Sequence, residues 1–286
     1  MQAWLESDTA LELKKRSPLL AKQPVDMLYY SNLQNRSMLN QGFPPPGIHK
    51  FLNKPEEDRS VPNYPTEFSY HVNEIGFRGH LPSTDTKRLL AFFGDSCTFG
   101  EGLPEEHVFP YMIGSHHNRP MLNLGMPGTG IHRIAMTFSA AVRIWDIETV
   151  IITFPNYARF NYVTAKNDML SILPPHPTVP KEAEEIRLSL VKNFSDQYFI
   201  SAAKDAIAWI ITTANERKIN LILGSWDSMV CDIIQASTDY LPVRFFMHPK
   251  NGDCARDNVH PGILANQTYA SSLIHYLENK NYVPTY

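Results

Sequence analysis

Leu89-Leu90-Ala91-Phe92-Phe93-Gly94-Asp95-Ser96-Cys97-Thr98-Phe99-Gly100 is the stretch on which the reading of this chain turns. Apolar residues on consecutive positions from Leu89 to Phe93 suit a strand buried on both faces, as in a parallel sheet. The strand runs directly into Gly94-Asp95-Ser96. Taken alone, that triplet reads as a turn in which Asp95 or Ser96 caps the next helix. A serine at a strand-to-helix turn can also be held exposed, with its backbone N–H facing a developing oxyanion.

The same rhythm continues along the chain. Met121–Leu124, Thr149–Phe154, Asn220–Ser225 and Val243–Met247 are further apolar runs of strand length. Helical stretches lie between them. Pro104-Glu105-Glu106 places proline and acids in a first turn, and Thr129–Asp146 follows. Ser195–Lys218 has Ser195 as its expected N-cap and Ala202, Ala203, Ala206, Ile207, Ile210 and Ala214 along one face. Gly262–Lys280 closes the series. Strand and helix alternating in this way predict a three-layer α/β/α architecture around a parallel sheet. Asn161–Pro180, rich in proline and polar residues, interrupts the rhythm and reads as a connection or a lid beside the site.

Residues 1–65 differ in texture, with Pro44–Pro46 in a row, further prolines at 55, 62 and 65, and short helical patterns only at Ala10–Leu20 and Asp26–Leu33. They are read as an N-terminal extension, an arm that packs on the core or contacts a protein partner. Residues 66–286 are read as the catalytic domain.

The bulk numbers exclude several classes. The chain has 286 residues, 43% hydrophobic and 19% charged, which fits a globular protein able to bury a sizeable core. A formal charge of −3 gives no electrostatic grip on nucleic acid or an anionic membrane. No signal-peptide pattern or membrane-spanning run is evident, so the expected location is cytoplasmic, or outside by a route without a cleaved signal. Cys97, Cys231 and Cys254 are odd in number and lack C-x-x-C spacing, which favours a reducing compartment over a disulfide framework.

The far end of the chain gives the serine a partner. Asp257-Asn258-Val259-His260-Pro261-Gly262 sets Asp-x-x-His before the last helix. A serine hydroxyl needs a base to take its proton, and the base needs an acid to hold its tautomer. One short loop can present both. Asp253 also precedes His260, but its position beside Gly252 reads as a solvated loop residue.

With these residues on view, the chain resembles the SGNH/GDSL hydrolase family over roughly residues 73–280. Gly94-Asp95-Ser96 is similar to its first block and Asp257-x-x-His260 to its last. Asn123-Leu124-Gly125-Met126-Pro127-Gly128 resembles the block that supplies an oxyanion-hole glycine, here Gly128. Phe154-Pro155-Asn156 resembles the block that supplies the oxyanion-hole asparagine, here Asn156, with Phe154 and Tyr157 replacing the usual glycine and aspartate. Val72–Gly79 looks like the lead-in of some members. The resemblance implies a flavodoxin-like fold, no cofactor, and esterase or acyl-transfer chemistry. Ser96, His260 and Asp257 would form the triad, and Ser96, Gly128 and Asn156 the oxyanion hole. The expected substrate is a small or glycan-borne ester with a short acyl group, since Asn161–Pro180 has no amphipathic apolar stretch.

The rival readings are an acyltransferase using the same triad and a binding or structural protein keeping the fold. Gly125-x-x-Gly128-x-Gly130 is not the dinucleotide fingerprint. No G-x-S-x-G is present, which argues against an α/β-hydrolase. His116-His117 reads as a solvated helix end without metal, and Cys97 is a less favoured nucleophile than Ser96. Tyr157, Phe160, Tyr162 and Trp226 are expected near the pocket mouth.

Overall fold

The computed structural model describes residues 47–52, 67–73, 75–163, 169–172, 181–239, 242–245, 253, 255 and 260–279, with backbone alone for 47–52, 67, 162–163, 169–172, 181–184 and 191. The short helices expected before residue 34 lie outside these.

The centre is a five-stranded sheet, every neighbouring pair parallel: β3 (Leu89–Gly94), β4 (Met121–Gly125), β5 (Ile147–Phe154), β8 (Asn220–Ser225) and β9 (Val243–Arg244). Their order across the sheet is β4-β3-β5-β8-β9. Helices α1 (Ser96–Phe99), α2 (Phe109–His116), α3 (Ile131–Ile144), α4 (Lys181–Asn193), α5 (Asp196–Glu216), α6 (Ser228–Ser237) and α7 (Ile263–Glu278) connect and follow the strands.

Strand alternation sorts the core into two layers. Leu89, Ala91 and Phe93 share one cluster with Ile134 and Phe138 of α3, Ile207 and Ile210 of α5, and Ile233 of α6. Leu90 and Phe92 share the other with Phe109 and Ile113 of α2 and Tyr269 and Leu273 of α7. Successive side chains of a strand point to opposite faces, so a strand apolar at every position needs helices on both sides. This is the expected three-layer α/β/α arrangement.

The predicted elements recur with adjusted ends. Ser195 occupies the N-cap position of α5, but its side chain makes no capping hydrogen bond. Glu105–His107 is a single 3₁₀ turn, and the helix proper begins at Phe109 with Pro110 in its first turn. Two antiparallel pairs were not anticipated. Gly47–Leu52 (β1), within the expected arm, pairs with Glu67–Val72 (β2), and Phe160–Val163 (β6) pairs with Met169–Ile172 (β7). The second pair falls within Asn161–Pro180 but for its first residue, Phe160, so that stretch holds most of an antiparallel pair and is not merely a connection. Neither pair shows the continuous apolar run that announced the central strands.

Candidate active site

Because the sheet is parallel, the residues that follow its strands gather at one edge. In register, Gly94 at the end of β3 lies opposite Gly125 of β4 and Thr153 of β5, and Phe154 of β5 lies opposite Ser225 of β8. Ser96, Gly128, Asn156 and Trp226 all come one to three residues after these positions.

Two glycines explain how α1 can begin so abruptly. A Cβ on Gly94 would stand 2.0 Å from Thr98 Oγ1 and 2.7 Å from the Thr153 carbonyl oxygen. A Cβ on Gly125 would stand 2.3 Å from the Phe99 backbone nitrogen. The helix carrying Ser96 therefore sits directly on the ends of β3 and β4, at a distance only glycine allows. Asp95 caps it, accepting from Cys97 N at 3.0 Å. The capping expected of Asp95 or Ser96 falls to Asp95.

Ser96 Oγ and His260 Nε2 are 2.7 Å apart, across 164 residues of sequence. Ser96 is only 5% exposed, so it lies at the floor of the site and not on a solvent-facing turn. The loop bearing His260 is anchored by Ala255 N donating to His260 O at 2.7 Å and Gly262 N donating to Asp253 O at 3.2 Å. Asp253 is itself buried and accepts from Ala265 N at 2.7 Å through Oδ2. The expectation of a solvated Asp253 is thus corrected: its carboxylate ties the first turn of α7. Asp257 lies outside the described residues.

Gly128 stands in the turn between β4 and α3 with φ of 73°, a conformation glycine adopts without a Cβ penalty. Asn156 follows β5. Its Nδ2 donates to Asp227 Oδ2 at 2.5 Å, and its Oδ1 accepts from Ala158 N at 2.8 Å. Asp227 in turn caps α6 by accepting from Val230 N at 3.0 Å. Asn156 is therefore held from both ends by the loops after β5 and β8.

Two neighbours of the site, Arg159 and Glu101, were not anticipated, whereas Trp226 was expected near the pocket mouth. Arg159 Nη1 donates to Asp95 Oδ2 at 2.8 Å, and Trp226 Nε1 donates to the same oxygen at 3.1 Å. The guanidinium also lies 5.1 Å from the Trp226 ring centroid, a cation–π arrangement. Trp226 thus helps hold the buried Asp95 carboxylate. Glu101 Oε2 approaches His260 Nε2 at 3.7 Å. No local pattern marks Arg159 or Glu101, because their partners are distant in sequence.

Arg78, in the Val72–Gly79 segment, supports the loop after α1. It is 1% exposed and donates to the carbonyls of Phe99 (3.0 Å), Gly100 (2.6 Å) and Leu103 (2.7 Å). Burial lowers its pKa from the ordinary guanidinium value. Cys97 is buried within the core cluster that contains Phe92 and Phe109. Tyr157 and Phe160 are half-buried, while the Tyr162 side chain lies outside the described residues.

No family model and no curated protein matches the chain. Among solved structures, it is similar to a protein assigned to the G-D-S-L lipolytic family from Desulfitobacterium hafniense, at 14% identity and a TM-score of 0.44, over 66% of this chain and 99% of that one. It is similar to an acetyl xylan esterase from the rumen bacterium Butyrivibrio proteoclasticus, at 14% identity and a TM-score of 0.42, over 72% and 67% of the two chains. A third is an esterase of the SGNH-hydrolase family, at 16% identity and a TM-score of 0.38, over 70% and 100%.

Proposed function

We propose that this chain is a serine ester hydrolase of the SGNH/GDSL kind, with Ser96 as nucleophile and His260 as general base. The observation that carries the reading is the 2.7 Å contact between Ser96 Oγ and His260 Nε2 at the carboxyl edge of a parallel sheet. His260 Nε2 accepts the hydroxyl proton as Ser96 Oγ attacks the acyl carbon. The resulting imidazolium returns that proton to the departing alcohol. Water, activated by the same imidazole, then releases the acid from the acyl-serine. Asp257 is assigned the role of orienting His260 through Nδ1.

The tetrahedral oxyanion would be received by the backbone N–H groups of Ser96 and Gly128 and by the Asn156 amide. An amide nitrogen carries two hydrogens. One goes to Asp227, so the second is the donor in this scheme. The polar cluster of Asp95, Arg159, Trp226 and Glu101 around the serine supports a short acyl group on a polar carrier such as a glycan.

The test combines a p-nitrophenyl ester series of increasing chain length with an acetylated polysaccharide. Activity should peak on the short esters and vanish in Ser96→Ala, with melting temperature retained. Asn156→Ala should lower kcat by about 10²–10³ at nearly constant KM. Ser96→Ala turnover near wild type would overturn the mechanism. A peak at long acyl chains would overturn the substrate class alone.

A further inference from the structure

We propose that His116, His117 and Glu278 form a binding site for a divalent transition-metal ion of the Zn²⁺ class, clamping the carboxyl ends of α2 and α7 together. Nothing in the esterase reading requires or predicts it.

The two helices run side by side and are already joined near their starts, where Phe109 N donates to Asn266 Oδ1 at 3.1 Å. Their last residues converge as well: His116 ends α2, His117 caps it, and Glu278 ends α7. His116 Nε2 lies 2.9 Å from Glu278 Oε1. One ligand atom from each of the three residues lies within 4.8 Å of the others. The two imidazoles meet edge to face with centroids 4.9 Å apart. Among the described residues His117 Nε2 is buried without a hydrogen-bond partner, and in the tautomer with its proton on Nδ1 it offers an unshared lone pair.

This donor set suits zinc. Two imidazoles and one carboxylate are borderline-soft and hard ligands of the kind that bind it, with a solvent molecule completing a tetrahedron. Bonds of roughly 2.0–2.1 Å put tetrahedral ligand atoms ~3.3 Å apart. The His116–Glu278 pair is thus slightly closer than needed, and the widest separation must shrink by ~1.5 Å. Half-exposed side chains can make that adjustment by rotation. Both His116 (47% exposed) and Glu278 (50%) are open to an ion arriving from solvent. The partial negative charge at two helix carboxyl ends also favours a cation here. The nearby Arg119 would oppose one, but it is paired with Glu148 Oε2.

The site lies at the opposite edge of the sheet from Ser96. His117 and Leu277 border an open cleft of about 570 Å³ whose other walls include Thr149 and Asn220, at or near the starts of β5 and β8. A metal there cannot touch the ester. It would instead fix α2 against α7, the helix that begins three residues after His260.

The full chain, dialysed free of metal, is titrated with Zn²⁺ against a chromophoric competitor. We expect one Zn²⁺ per chain, weakened at least tenfold by His117→Ala and by Glu278→Gln, and unaffected by Ser96→Ala. At a hundredfold excess over Kd the melting temperature should rise by roughly 5 °C. X-ray absorption at the zinc edge of the unaltered chain should show only nitrogen and oxygen ligands, two of them imidazole. Absent binding, binding that survives both substitutions, or a sulfur ligand from one of the cysteines would each overturn the site.

Discussion

The Glu101 carboxylate stands 3.7 Å from His260 Nε2, the same ring nitrogen that meets Ser96 Oγ at 2.7 Å. A carboxylate there attracts the imidazolium that forms when the proton leaves serine. At about 4 Å, such an attraction ranges from about 1 kcal/mol in water to about 4 kcal/mol in partly buried surroundings. Glu101→Gln should therefore lower kcat on a neutral ester by about tenfold, with little change in melting temperature. Unchanged kcat in steady-state assays would remove Glu101 from the proton-transfer step.

Arg78 binds three carbonyls of the loop that follows Ser96. Lysine carries one ammonium and no planar fork, so it cannot reach all three. Each buried carbonyl left unpaired costs about 1–3 kcal/mol. Arg78→Lys should lower unfolding free energy by about 2–4 kcal/mol in a denaturant titration. It should also lower kcat at temperatures where the variant remains folded, because the Gly100–Leu103 loop carries Glu101.

Gly125 gives a sharper steric test. An added methyl would meet the Phe99 backbone nitrogen at 2.3 Å and the Thr98 carbonyl carbon at 2.7 Å, with no flexible side-chain end to yield. Gly125→Ala should push α1 off the sheet edge, costing about 1–3 kcal/mol or more. Ester turnover should fall by more than the loss of folded protein accounts for. A variant with wild-type turnover would show that Ser96 does not depend on this contact.

Arg133 is buried in α3, and among the described residues its Nε, Nη1 and Nη2 atoms have no hydrogen-bond partner. Burial pulls its pKa from the ordinary guanidinium value down to about 9. The unfolded chain then holds the proton more tightly than the native state between about pH 9 and the ordinary guanidinium value. The destabilisation is fully present below that window and is relieved as pH rises through it. Arg133→Met keeps most of the volume without the charge, and should raise unfolding free energy at neutral pH by about 1–4 kcal/mol. Wild-type stability should gain on the variant above pH ~9, within the alkaline range the rest of the protein tolerates. A melting temperature at pH 7 that falls on substitution would contradict this.

The layers of this protein were legible in its sequence because they depend on local pattern. Consecutive apolar residues at Leu89–Phe93 and Thr149–Phe154 require cover on both faces, and the periodic face of α5 supplies part of it. The placement of Ser96, Gly128 and Asn156 was equally local, since each follows a strand within three residues. The short pairs β1–β2 and β6–β7 escaped because their sequences lack the continuous apolar run of the central strands. Contacts between distant segments were decided only by tertiary structure. Asp95 meets Arg159 and Trp226, Asn156 meets Asp227, and Arg78 reaches the loop after Ser96. The same holds for Asp253, which looked solvated beside Gly252 yet is buried as a cap for α7. Periodicity reports which face of an element is apolar, whereas a hydrogen bond between loops depends on where folding has brought their ends together.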